Sequence, residues 1–328
     1  MARGGRPVKA FDLPWLVADI GGTNARFGLV TEMGAPPSRV AVLPGSAYAT
    51  LPEAVDAYLA EHGEGLRPGA ACLAVAGPID GDRYRLTNSP WAGSVRDLGV
   101  PFAALLNDFE ALAVSLPRLG GADLVPLGGP EPAHGVKAVL GPGTGLGVGA
   151  LVPSGDGWIP LPGEGGHVTV PVSGERELEI VRVLRAEGLE QVVAEHVLSG
   201  PGLVRLHRAL ARVNGVPAVE ATASGIVARL DDPLCAETVE VFCGMLGSFA
   251  ANTALTLGAR GGVYLGGGVL PRIVERVCAS SFRTRFTTNP DMSAYLEAIA
   301  TTLIVAPQPA LTGAAAWLAQ RAAVDLAA

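Results

Sequence analysis

Two stretches of this chain share one plan, and that plan narrows the fold more than any other feature. Residues 16–20 run apolar except for Asp19, turn at Gly21-Gly22-Thr23-Asn24, and resume as Ala25-Arg26-Phe27-Gly28-Leu29-Val30. Far downstream, Lys137-Ala138-Val139-Leu140 enters Gly141-Pro142-Gly143-Thr144-Gly145-Leu146-Gly147-Val148-Gly149 and continues as Ala150-Leu151-Val152. Each reads as a strand, a glycine-threonine turn and a second strand. Glycine allows positive φ in such a turn, so several backbone N–H groups can converge on one anion. Thr23 and Asn24 add side-chain donors, and Asp19 stands where it can hold a hydrated Mg²⁺ beside that anion. A hairpin whose glycines serve only the turn has the same local sequence. The repetition is what favours the phosphate reading, with Ala18, Asp19, Ile20, Gly21, Gly22, Thr23, Asn24, Gly143 and Thr144 as its candidate contacts.

Two other phosphate motifs are excluded. A P-loop needs Lys-Ser/Thr after its last glycine and a helix beyond, and neither stretch has them. A Rossmann turn can be forced onto Gly145, Gly147 and Ala150, but Pro153-Ser154-Gly155-Asp156-Gly157 is a turn where that fold requires a helix.

At 328 residues the chain has room for about two domains. Hydrophobic residues make up 49% and charged residues 17%, the balance of a packed globular protein rather than a disordered one. A formal net charge of -7 argues against nucleic-acid or anionic-membrane partners. An anionic ligand must then be held by local backbone dipoles and a cation. Cys72, Cys235, Cys243 and Cys278 are too scattered for a disulfide framework or a Cys-x-x-Cys zinc site and have apolar neighbours, so buried reduced thiols are expected. No apolar h-region follows Arg3, Arg6 and Lys9, and no uninterrupted apolar run is long enough to span a membrane. A cytoplasmic location is expected.

Residues 1–11 read as a disordered extension. The first hairpin occupies 15–30, a third strand 39–43, and a helix 51–61 through Leu51, Val55, Tyr58 and Leu59. Residues 70–76 form a continuous apolar run closed by Gly77-Pro78, the pattern of a strand buried on both faces. Residues 103–106 repeat it before Asn107-Asp108, and 109–116 is helical. In the second half, helices are expected over 178–185, 189–198, 202–213, 239–257 and 269–277, with a strand at 262–265 ending in Gly266-Gly267-Gly268. A last helix, 312–326, can join either half. Two strand-rich starts, each followed by alternating helices and strands, predict two α/β domains facing a central cleft.

Several residues between these elements can carry chemistry. Asp108 stands where a strand ends and a helix begins; it is either an N-cap or a general base at the edge where α/β proteins present ligands. Asn107 beside it offers both donor and acceptor. Glu164 and His167, three apart in Gly163-Glu164-Gly165-Gly166-His167, suit the hydroxyls of a sugar, whereas no second histidine or cysteine stands near for a metal site. Glu195 reads locally as a helix-surface charge. Gly266 and Gly267 bare the backbone for a flat adenine-ribose, or simply make a tight turn.

Taken together, Asp19-Ile20-Gly21-Gly22-Thr23-Asn24-Ala25-Arg26, Leu86-Thr87-Asn88-Ser89-Pro90-Trp91, Asn107-Asp108-Phe109, Gly143-Thr144-Gly145-Leu146-Gly147, Gly163-Glu164-Gly165-Gly166-His167, Leu198-Ser199-Gly200-Pro201-Gly202 and Gly262-Val263-Tyr264-Leu265-Gly266-Gly267-Gly268 resemble, in order, the motifs of bacterial glucokinases. That family lies in the hexokinase/actin-like ATPase superfamily. The resemblance implies a two-domain actin-like (ribonuclease H-like) α/β fold with a central interdomain cleft. The small domain would be 12–118 plus the C-terminal helix, 312–328, and the large domain 119–311. It implies ATP-dependent phosphorylation of glucose at its 6-hydroxyl with Mg²⁺, by a homodimer. Asp108 would be the base; Asn107, Glu164, His167 and Glu195 would bind the sugar; Gly266 and Gly267 would face the adenosine. The cysteine-rich zinc motif of the related repressor/kinase group is missing, so no structural zinc is expected. Alternatives are a kinase for another hexose or an N-acetylhexosamine, or a catalytically silent sugar-binding regulator on the same fold. A DNA-binding regulator would need a helix-turn-helix module, which the short extension has no room for.

Overall fold

The computed structural model describes residues 9–327 except 78, 87, 88 and 156. Thr87 and Asn88 of the 86–91 motif, and the first eight residues of the extension, therefore lie outside the described residues. The chain forms two compact units: Met1–Leu119 with Ser154–Pro160 and Pro307–Ala328, and Gly120–Pro153 with Leu161–Ala306.

The first unit is built on β1 (Trp15–Ile20), β2 (Asn24–Val30), β3 (Ser38–Pro44), β4 (Ala70–Val75) and, after a small meander of β5 (Ile79–Asp80), β6 (Arg83–Arg85) and β7 (Ala92–Ser94), β8 (Phe102–Asn107). The sheet order is β3-β2-β1-β4-β8, antiparallel through the first three strands and parallel from β1 to β4 to β8. Side chains alternate between two apolar layers, as a period of two requires. Leu16, Ala18 and Ile20 join Leu73 and Val75 under α1 (Leu51–His62). Trp15 and Val17 join Cys72 and Ala74 on the opposite face, with Ala111 of α2 (Asp108–Ser115) and Leu311 and Leu318 of the last helix. Because β4 is covered on both faces, all six of its residues are buried, as its unbroken apolar run predicts. Phe11, read from sequence as part of a disordered extension, packs its ring 4.5 Å from that of Phe102 and accepts a hydrogen bond from Trp15 Nε1.

The second sheet repeats the strand order; it belongs to the second unit except at Ser154–Pro160, which falls in the first. With β9 (Leu124–Gly128), β10 (Lys137–Pro142), β11 (Leu146–Ser154), β12 (Gly157–Gly163), β13 (Val263–Leu265) and β14 (Thr301–Ile304), the sheet runs β12-β11-β10-β13-β14-β9. As in the first sheet, an antiparallel pair, β11-β10, is followed by parallel pairing from β10 to β13 to β14, and β9 is added antiparallel to β14. The helices are α3 (Glu175–Ala186), α4 (Gly200–Asn214), α5 (Ala223–Ala228), α6 (Pro233–Leu257), α7 (Val274–Ala279), α8 (Phe282–Thr287) and α9 (Ser293–Glu297). Asp232 caps α6 by accepting from the N–H groups of Leu234 and Cys235, and Gly258 ends it in the left-handed region. This helix is long and apolar enough to cross a membrane, but most of it is buried in the unit's own core.

The last helix, α10 (Pro309–Ala327), belongs to the first unit. Gly313 lies so close to the Ala111 carbonyl that any Cβ there would collide with it, which lets α10 settle directly on α2. Two helical expectations fail. Residues 189–198 give only a 3-10 turn at Ala194–His196, because Val193 instead bridges Thr169 and the flanking backbone pairs with 168–170. Residues 269–277 break into a 3-10 turn at Leu270–Arg272 and then α7, Pro271 being unable to continue a helical hydrogen-bond run. Of the cysteines, Cys72, Cys235 and Cys243 are buried as expected, whereas Cys278 is exposed.

Candidate active site

In the first unit the parallel register fixes the geometry. Ile20, Val75 and Asn107 stand in one row at the carboxyl ends of β1, β4 and β8. The Gly21–Asn24 turn and Asp108 therefore leave the same sheet edge two strand spacings apart, about 10 Å. Thr23 and Asn24 are exposed at the turn, while the side chains of Ala18 and Ile20 are buried and present nothing outward. Asp19, half-buried, lies across the hairpin from Arg26, whose Nη1 donates to its Oδ2 at 3.0 Å. Burial raises the Asp19 carboxyl above its usual range, and the guanidinium only partly opposes this. Arg26 is not among the contacts expected from sequence, although an arginine directly across a hairpin from an aspartate is visible once the turn is centred.

The N-cap of α2 is Asn107, not Asp108. Asn107 Oδ1 accepts from Phe109 N–H at 2.8 Å, and Glu110 Oε2 accepts from Asn107 N–H at 2.8 Å. Asp108 is the first helical residue, half-buried, with Oδ1 accepting from Phe109 N–H at 3.0 Å. The cap that could have explained Asp108 away is therefore supplied by its neighbour.

In the second unit, β10 and β13 end side by side around the second glycine turn. Gly266 N–H donates to Leu140 O at 2.7 Å, so it serves the sheet, and Gly267 takes φ +80°. A Cβ on Gly267 would strike the Pro142 carbonyl oxygen. Positive φ, expected of the cradle glycines, is absent from Gly21, Gly143 and Gly145. At Gly145 a Cβ would lie 2.5 Å from Glu195 Oε2, so a side chain there would push that carboxylate aside. That oxygen accepts from Leu146 N–H at 2.8 Å, and Gly200 N–H donates to Gly143 O at 2.7 Å. Glu195 is thus no helix-surface charge.

Glu164 and His167 are exposed, with Glu164 Oε2 3.9 Å from His167 Nε2. Their loop lies tight on β11, since a Cβ on Gly166 would overlap the Leu146 carbonyl. The Thr169–Val193 bridge holds this loop beside Glu195 and His196. Desolvation and the Arg205 guanidinium lower the pKa of His196, partly opposed by the Glu195 carboxylate. No group of three or more His, Cys, Asp or Glu suited to hold a metal occurs among the described residues.

A family model described as Glucokinase matches residues 16–321. A glucokinase of Aromatoleum aromaticum is 46% identical over 313 residues, 93% of this chain and 94% of its own length. One of Paramagnetospirillum magneticum is 48% identical over 309 residues, covering 92% and 96%. The chain belongs to the glucokinase family. A glucokinase crystal structure from an Antarctic psychrotroph agrees in fold, with a TM-score of 0.86 at 36% identity, covering 94% of this chain and 99% of that one. The architecture is the two-domain actin-like kinase fold, and the chain is an enzyme of the glucokinase family, an ATP-dependent hexose kinase.

Proposed function

We propose that the chain transfers the γ-phosphoryl group of ATP to the 6-hydroxyl of glucose, with Asp108 accepting the proton of that hydroxyl. The row formed by Ile20, Val75 and Asn107 carries this assignment, because it sets a phosphate turn and a carboxylate at one ligand-presenting edge. Phosphoryl transfer to an alcohol has a loose transition state, so a weak base suffices and positioning does most of the work. Asn107 Oδ1 already accepts at the helix cap, which leaves its Nδ2 amide and the second Oδ1 lone pair for a sugar contact. Glu164, His167 and Glu195 meet the remaining hydroxyls, and a misplaced hydroxyl on an epimer would strand one of them. Thr23, Asn24, Gly143 and Thr144 hold the phosphates, and Gly266-Gly267 faces the adenosine.

Mg²⁺ fits the donor set beside the first turn. Asp19 brings a hard carboxylate oxygen whose charge is already disfavoured by burial, a penalty that a nearby cation relieves. Held there through water, Mg²⁺ would offset phosphate charge. The reading also includes a cytoplasmic homodimer in which Cys72, Cys235 and Cys243 stay reduced; a monomer mass by light scattering removes the dimer.

Asp108→Asn tests the central claim. In a coupled assay its turnover should fall roughly 10²- to 10⁴-fold, while glucose binding measured by calorimetry changes little. Turnover close to that of the unaltered chain rules Asp108 out as the base.

A further inference from the structure

Glu195 stands between two recognition elements of the second unit. Its Oε2 accepts from Leu146 N–H at 2.8 Å, where the Gly143–Gly145 turn re-enters β11. Gly200 N–H grips the other end of that turn through Gly143 O at 2.7 Å. Ser199 Oγ donates to Glu195 O at 2.8 Å and accepts from Gly202 N–H at 2.9 Å, which fixes the Glu195 backbone to the start of α4. Two residues before Glu195, Val193 bridges Thr169, just past the Glu164–His167 loop. One short segment therefore holds the phosphate turn and abuts the loop assigned to the sugar.

We infer that Glu195 is a positioning residue that couples the two ligands: a sugar hydroxyl held by its carboxylate strengthens its hold on Leu146 and so orders the phosphate turn. The inference rests on the proposed glucose and ATP reading. A carboxylate has about four lone-pair sites, enough for a backbone N–H and a hydroxyl at once. The carboxylate is held by the Leu146 N–H. A bound hydroxyl would give it a second anchor, so the turn would be more firmly held when the nucleotide arrives. By linkage, nucleotide must raise sugar affinity by the same factor.

Calorimetric titration of ADP with and without saturating glucose measures the coupling. The unaltered chain should bind ADP about fivefold or more tightly when glucose is present. Glu195→Ala should bring that ratio close to one and speed hydrogen exchange at the Leu146 amide. Glu195→Gln, whose amide oxygen still accepts from Leu146, should restore part of it. Glu164→Gln weakens glucose without touching the turn and should keep the full ratio at saturation. If Glu195→Ala loses glucose altogether, Gly145→Ala decides, because its methyl group displaces the carboxylate from Leu146 without removing it; its ratio should also approach one. A ratio of one in the unaltered chain, or an undiminished ratio in Glu195→Ala or Gly145→Ala, overturns the coupling. Failure of the unaltered chain to bind glucose or ADP at all would instead overturn the kinase reading beneath it.

Discussion

The two glycine-threonine turns have one backbone plan and are held in place by different means. The first is braced by its own sheet: Gly21 N–H donates to Asn24 O at 3.0 Å, and Gly45, just past β3, donates to Thr23 O at 2.8 Å. The second also closes on itself, Gly143 N–H donating to Gly145 O at 2.8 Å, but its further braces, Glu195 and Gly200, come from outside the sheet. Charge divides in the same way. Where β1 sets Asp19 across from Arg26, β10 sets Gly141 across from Gly147. The first turn thus carries its own carboxylate and is suited to a cation. The second is neutral and borrows a carboxylate from a segment 49 residues along the chain. Duplicating a backbone motif evidently does not duplicate its electrostatics.

Three substitutions sharpen or break this contrast. Gly267→Ala, at the strand end beside the second turn, should have the largest effect on stability. It forces a side chain into φ +80° and against the Pro142 carbonyl, costing about 2–3 kcal/mol, read as a lower urea midpoint together with weaker ADP binding. An unchanged midpoint would mean that the β10–β13 ends are not packed this tightly.

Asp19→Asn should act through pH. Because burial raises the Asp19 carboxyl, the folded chain binds that proton more tightly than the unfolded one. Stability from this group is complete below the unfolded value of about 4 and is lost as pH rises through the folded value. The variant should therefore melt at or above the temperature of the unaltered chain at about pH 7, with the gap closing towards about pH 4, while magnesium-nucleotide binding weakens. A variant that melts clearly lower at neutral pH would show that the Arg26 ion pair outweighs burial.

Gly21→Ala should have the smallest effect, within about 1 kcal/mol. Gly21 lies outside the left-handed region, and a Cβ there meets only Asn24 O, at 3.4 Å. A loss as large as that of Gly267→Ala would erase the distinction between a turn that needs glycine for space or conformation and one that tolerates a side chain.

Much of the fold could be read from the sequence where the determining forces are local. The hairpins declare themselves because apolar runs flank glycine turns, and β4 because a strand covered on both faces carries no polar residue. What escaped notice depends on partners distant in sequence. Leu189, Val192, Val193 and Val197 have helical spacing, yet a bridge to Thr169 outweighs that pattern. The same bridge brings Glu195 to the Glu164–His167 loop, so the failed helix and the misread glutamate have one cause. At Asp108 sequence could place a carboxylate at the strand end, but only the hydrogen bonds reveal that Asn107 takes the cap.

The seating of α10 on α2 has a consequence for how the protein is made. The helix that begins with Asp108 rests against residues from the last twentieth or so of the chain, with the Gly313 backbone pressed to Ala111. On the ribosome, the first unit waits for its covering layer until the second unit has been made, although its sheet emerges first. The second unit has every strand and helix of its core in hand by Ala306. The half synthesised earliest is therefore the half completed last.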